Sequence, residues 1–215
     1  YQADLMGDAC MRLSRKVYAM APDYFDKKGK RLYECGQYLE FKTFENGEKK
    51  LNKANFCKYR LCPMCAWRRT LKIFGQTSQI FDVLLEKDLA FIFMTLTVKN
   101  CSGEDLSGVL DDMQKGLVRL KSQKWFKKIA LGWMRNIEVT HNLDKNSKSY
   151  DTYHPHIHMI IPVKKSYFSS KNYVSQMKLA EIWQKTMRLD YQPRVDIRRA
   201  HTKRRGHIKE VSKYA

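Results

Sequence analysis

The sequence predicts an α+β fold: a ferredoxin-like antiparallel sheet of βαββαβ order, helices packed on one face, behind a small cysteine-rich amino-terminal segment. Three observations predict it. FIFMTLTV, residues 91–98, is an almost unbroken apolar and β-branched run that reads as a buried strand. After it, helix-like and strand-like stretches follow in the order helix, strand, strand, helix, strand. Finally, three of the six cysteines crowd into the nine residues from Cys57 to Cys65.

The elements are justified in chain order. Residues 8–20 have mixed helical character and residues 34–44 have strand character. From Thr70 to Leu89, Leu71, Phe74, Ile80, Phe81, Leu84 and Leu85 recur at helical spacing. The strand at 91–98 ends before the Ser102-Gly103 break. Residues 104–129 then read as one amphipathic helix, with Leu106, Val109, Leu110, Met113, Leu117 and Leu120 as its buried stripe. Residues 133–140 and 153–163 read as an antiparallel hairpin around the polar stretch 142–149. A second helix is expected over 173–188, with Val174, Met177, Ile182, Trp183 and Met187 among its apolar positions, a short fourth strand over 193–200, and helix again around Glu210. The division expected is a cysteine-bearing segment over 1–70 and a larger domain over 71–215.

Composition sets the class of partner. Hydrophobic residues make up 43% of 215, enough for a core. No apolar run approaches the roughly 18 residues of a membrane span, and the opening stretch lacks a signal peptide's apolar centre. Lys and Arg total 41 against 22 acids, a net charge of +19 that attracts a polyanion and releases its counterions. Four Trp and 12 Tyr offer surfaces on which unpaired bases stack, although most aromatics fill cores. Clustered thiols among basic residues point to a reducing cytoplasm and a thiolate metal site, not a disulfide scaffold. The first residue is not Met and the last follows a well-formed motif directly, so the sequence reads as a piece of a longer protein.

The chemistry begins at HPHIH, residues 154–158. Side chains alternate along a strand, so His156 and His158 share one face and Ile157 takes the other. Two imidazoles on one face are half a metal site; without a third ligand such a pair is more often two surface histidines. If the preceding strand pairs antiparallel around a turn near Asn146 or Ser147, Glu138 falls opposite His156 and completes a two-histidine, one-carboxylate set suited to Mn²⁺ or Mg²⁺. At the chain end, HIKEVSKYA places His207, Glu210 and Tyr214 on one helical face. A tyrosine phenol attacking a phosphodiester gives a phosphotyrosine bond and frees a hydroxyl, with Glu210 one turn away to accept a proton.

FIFMTLTVKN, RNIEVTHN, YHPHIHMII and EVSKY, in that order and spacing, resemble the motifs of the HUH endonucleases. More closely, they resemble the replication initiators of small rolling-circle plasmids of Gram-positive bacteria, over the chain from about residue 35 to the end. The resemblance implies a divalent metal on His156, His158 and an acidic residue, and a single catalytic tyrosine at Tyr214. It links Glu210 to hydrolytic termination. A single tyrosine at the far end, with two histidines where relaxases typically have three, favours replication over conjugation.

Cys57-x4-Cys62-x2-Cys65 gives three close thiolates, and Cys35, from the preceding hairpin, is the candidate fourth ligand of a structural, all-thiolate Zn²⁺ site displaying Arg60, Arg68 and Arg69. The stretch CKYRLCPMCAWRR also resembles the plasmid initiators. Cys10 and Cys101 have no assigned partner. Lys127-Lys128, Arg198, Arg199, Lys203, Arg204 and Arg205 are candidate backbone contacts, the last three standing just before the nucleophile helix. The expected activity is nicking of single-stranded or extruded-hairpin origin DNA by Tyr214, leaving a 5′-phosphotyrosine and a 3′-hydroxyl for host polymerase, with a host helicase, in the bacterial cytoplasm. Alternatives are an HUH transposase or mobilisation relaxase, a non-catalytic zinc-dependent DNA-binding module, and an RNA-binding ferredoxin-like domain, although FIFMTLTV carries no RNP motif.

Overall fold

The computed structural model describes Arg12, residues 29–60 and residues 62–200. Residues 29–33 make a helical turn that ends as the chain doubles back at Gly36, whose φ of +81° suits a residue without Cβ. Strands β1 (Leu39–Thr43) and β2 (Lys49–Ala54) then pair antiparallel, with an irregularity between Glu40 and Phe41. The strand expected over 34–44 is therefore confined to its second half. Its partner β2, KKLNKA, was not expected, because it has no β-branched residue and no alternation to signal it.

Helix α1 (Pro63–Glu86) follows, and the chain divides into two compact units between Lys72 and Ile73, within this helix. In the second unit β3 (Leu89–Thr97) leads to α2 (Leu106–Ser122), α3 (Lys124–Ile129), β4 (Met134–His141), β5 (Tyr153–Lys164), a 3₁₀ turn (Lys165–Ser169), α4 (Gln176–Met187) and β6 (Val195–Arg199). The four strands form one antiparallel sheet in the order β4-β5-β3-β6. The chain is thus α+β with antiparallel sheets. Residues 8–20, apart from Arg12, lie outside the described residues.

The helix expected over 104–129 is two helices. Gln123 adopts an extended backbone (φ −61°, ψ 141°), closing α2 and opening α3. Continued straight, the stripe through Leu117 and Leu120 would reach Lys124 and Lys127. The break instead buries Phe126 and Ile129 and leaves the lysines in solvent. Helix α4 starts where Ser175 accepts a hydrogen bond from the Lys178 N–H at 3.2 Å, an N-cap, and stops at Arg188 in the left-handed region. Within it Met177 is exposed, contrary to its place among the expected apolar positions.

One sheet face buries Ile92, Met94 and Leu96 of β3 and Ile157, Met159 and Ile161 of β5 under Met113, Leu117, Leu120, Leu179 and Trp183. The opposite face is not bare, as a sheet with helices on one side only would be. Phe81 of α1 stacks on Phe91 with ring centroids 4.2 Å apart, and Phe74, Leu84 and Leu85 pack with Phe93 and Ile160. Leu71 and Ile80 of the same helix are exposed. This cover leaves the stretch of that face carrying Thr95, Thr97, His156 and His158 beyond the apolar cluster. That is where the polar site sits.

Candidate metal centres

Pairing of β4 with β5 sets Glu138 opposite His156 and Asn136 opposite His158, the register the sequence suggested for Glu138. Since side chains on one face recur every second residue, Glu138, His156 and His158 project together. The Glu138 carboxylate oxygen Oε2 lies 3.5 Å from Nε2 of His156 and 3.5 Å from Nε2 of His158. One ligand atom from each residue falls within 4.8 Å of the others. Their side chains are mostly shielded from water, which strengthens any charge interaction among them.

The imidazoles are oriented from behind. Nδ1 of His156 stands 3.2 Å from the carbonyl oxygen of His154. A carbonyl only accepts, so this nitrogen carries the proton and Nε2 is the coordinating atom. Nδ1 of His158 is 3.1 Å from Oγ1 of Thr95, and its ring stacks on Phe93 at 5.4 Å. Thr95 appeared in the sequence as part of the strand beneath the site; the register Thr95↔His158 makes it a partner of the site. Two imidazoles that turn Nε2 toward one carboxylate suit a hard or borderline divalent cation. The same donors without a cation would hold a carboxylate between two histidines.

His154, of the same parity, is directed elsewhere. Its Nδ1 bonds Oδ1 of Asn100 at 2.9 Å, its ring centroid is 5.5 Å from that of His156, and burial, then the neighbouring His156, holds its pKa below the usual histidine value. The two arginines of β6 separate. Arg198 lies opposite Phe93, with its guanidinium 5.5 Å from that ring and 3.2 Å from Asp196, on the histidine face. Arg199 lies on the other face, 5.1 Å over Phe168. Lys203, Arg204, Arg205, Glu210 and Tyr214 lie outside the described residues.

In the first unit the four expected cysteines meet. Cys35–Cys65 and Cys62–Cys35 sulfur distances are 3.5 Å, and Cys57–Cys65 is 3.7 Å. Tetrahedral thiolates at the usual zinc bond length stand about 3.8 Å apart, whereas a disulfide needs about 2 Å. Cys35 comes from the turn after the 29–33 helical turn, before the β1–β2 hairpin, not from the hairpin itself. Burial pushes the Cys35 thiol up to about 12. Burial also opposes a Cys65 thiolate, but the Lys58 N–H at 3.2 Å and the surrounding thiols outweigh it and lower that pKa. Four thiolates gathered in one buried cluster would need a cation to balance their charge. Arg68 is engaged locally, 3.7 Å over Phe56.

The model of a family described as "Replication protein" matches residues 48–215. This chain belongs to the replication-protein family. The match bears out, at family level, the resemblance carried by the motifs. Curated relatives named "Protein rep" include one from Bacillus amyloliquefaciens, 41% identical over 97% of this chain and 58% of its own length. Another, from a Bacillus species, is 45% identical over 84% of this chain and 57% of its own, and one from Streptococcus pneumoniae is 41% identical over 86% and 58%. The chain thus spans a little over half the length of these relatives. No solved structure matches it. Among the described residues, no helix is long and apolar enough to cross a membrane.

Proposed function

We propose that this chain is the DNA nicking and joining part of a plasmid rolling-circle replication initiator with an HUH-type, ferredoxin-like catalytic domain over 71–215 and a zinc-binding segment over 1–70. The observation that carries the reading is the Glu138–His156–His158 cluster within a replication-protein family chain. Support for the fold comes from the βαββαβ order and the β4-β5-β3-β6 sheet, and for a structural Zn²⁺ from the buried Cys35, Cys57, Cys62 and Cys65.

Glu138, His156 and His158 would hold Mn²⁺ or Mg²⁺, which supplies Lewis-acid stabilisation to a scissile phosphate. The Tyr214 phenol oxygen attacks the phosphorus of an unpaired origin strand; the phosphorus–O3′ bond breaks, leaving a 5′-phosphotyrosine and a free 3′-hydroxyl. The covalent bond conserves the energy for rejoining, and the hydroxyl primes a host polymerase behind a host helicase in the bacterial cytoplasm. Glu210 takes a proton from the water that releases the strand. Arg198, Lys203, Arg204 and Arg205 are the basic residues we assign to the DNA backbone.

The test is a time course of SDS-resistant adduct on one labelled hairpin of the plasmid origin with Mn²⁺. Tyr214→Phe and His156→Ala should lose the adduct while keeping DNA binding. Glu210→Ala should form it and then fail to release it, so that multimeric products accumulate. Tight duplex binding with no adduct in the unsubstituted protein would replace this reading with a zinc-dependent binding module. Loss of the first cleavage in Glu210→Ala, as complete as in Tyr214→Phe, would show that Glu210 serves the first step.

A further inference from the structure

A cavity adjoins the histidine cluster, and the reading above gives it no role. It is a cleft of about 400 Å³ at the end of β3, and among its lining residues are Thr97, Lys99, Asn100, His154, Tyr191 and Arg194. That volume is near the small end of the roughly 300–1,000 Å³ found for small-ligand sites, room for one nucleotide and not for a duplex. Among the described residues none that lines it is acidic, while Lys99 and Arg194 are cationic and exposed.

The walls are fixed by hydrogen bonds. The Thr97 hydroxyl donates to the carbonyl of Arg194 at 2.7 Å, and the Trp183 indole N–H donates to the carbonyl of Thr97 at 2.9 Å. The backbone N–H of Lys99 donates to the Tyr191 phenol oxygen at 2.8 Å, and the Lys99 ammonium sits 4.0 Å over the Tyr191 ring. A relay then sets the polarity of His154. The Thr152 hydroxyl donates to the Ser149 carbonyl at 2.6 Å and accepts from the Asn100 amide at 2.9 Å. That directs Oδ1 of Asn100 to Nδ1 of His154, which must donate, leaving Nε2 as the ring's remaining polar atom. Fixed donors and acceptors around a one-nucleotide volume, with an aromatic ring and two cations, are the parts from which an unpaired base is read.

His154 is the next residue along the same strand face from His156, so the cleft continues directly from the proposed metal site. We propose that this cleft binds a single unpaired nucleotide beside the scissile phosphate and reads its base. The proposal rests on the nicking assignment for the word "scissile" and on the cleft's geometry for the rest.

Selection from random-sequence single strands on the full chain without added Mn²⁺ or Mg²⁺, where no strand is cut and the proposed Zn²⁺ stays bound, tests it. The unsubstituted protein should enrich strands with a fixed base at one position. Arg194→Ala, at an exposed side chain, and Tyr191→Ala should lose the preference at that position alone and bind the original consensus about tenfold more weakly. Three results overturn the proposal: no preferred position in the unsubstituted pool, an unchanged consensus and affinity in both variants, or uniform weakening with the preference intact. Adduct formation with Mn²⁺ is scored separately. An adduct in the unsubstituted protein with cleft variants that keep their preference sinks the cleft and spares the nicking reading. Position-specific loss in a protein that forms no adduct does the reverse.

Discussion

Thr95 stands behind His158 as the hydroxyl that its far nitrogen meets, 3.1 Å away. Partners of this kind fix the tautomer and aim of a ligand, and their loss typically weakens a metal site by roughly 10- to 100-fold. Thr95→Val keeps the β-branched shape in a tightly packed strand and removes only the hydroxyl. Its Mn²⁺ affinity, measured by calorimetry, should fall by about that factor with the fold intact, and cleavage should return at high Mn²⁺. A variant with unchanged affinity would mean that the Phe93 stack alone holds the ring. At this scale the sequence was most legible for residues whose chemistry is rare. A His-x-His on a strand and a Glu on its partner can be paired on paper, because strand parity and turn position fix their faces. Thr95 could not be found that way. A threonine in an apolar strand has the same spelling whether it fills space or orients a histidine, and only the β3–β5 register decides.

Element boundaries were less legible where two forces compete. In α2 the apolar stripe and the helical propensity agree up to Leu120. Beyond it propensity still favours helix, but the stripe has moved to Phe126 and Ile129, and the break at Gln123 resolves the conflict in favour of burial. Strand β2 failed for the opposite reason, since its hydrogen bonds to β1 form with almost no burial to mark them. Packing between α2 and α4 gives a check on glycines. A Cβ on Gly116 would lie 2.2 Å from Sδ and 3.1 Å from Cγ of Met187, whereas one on Gly108 meets nothing. Gly116→Ala should therefore destabilise by roughly 1 kcal/mol, overpacking outweighing the gain in helix propensity, and Gly108→Ala should stabilise by about 0.5 kcal/mol. Urea unfolding of the two variants reads both, and equal signs would refute the close approach. On β6 the two arginines make a matched pair on opposite faces. Arg198→Ala should lower the dependence of log affinity for single-stranded DNA on log salt by about 0.7, one phosphate's share, and Arg199→Ala should leave it unchanged. Identical slopes for the two would remove the histidine face from the DNA path.

For the whole molecule, the two units hold themselves together in different ways. The second has an extensive apolar core with Trp183, Phe126, Met94 and Leu96 fully buried, and it needs no metal for its packing. Among the described residues of the first unit the buried cluster is Leu32, Met64 and four cysteines, with Phe56, Tyr59 and Trp67 partly buried against it. Four thiols are a poor substitute for aliphatic side chains, and a cluster built around them gains most from a metal that links them. The cysteines therefore make a prediction about stability that is local. Cys62→Ser should lose the one Zn²⁺ expected per chain. Hydrogen exchange, read peptide by peptide, should then rise steeply through residues 29–60 and hardly at all in β3, β4 and β5. Because protection reports local opening as well as global unfolding, it separates a metal that builds one unit from a metal that stabilises everything. Zinc-free protein with unchanged protection over 29–60 would mean that the four sulfurs pack as ordinary buried thiols. Uniform loss of protection across both units would mean that the second core leans on the first, despite its size.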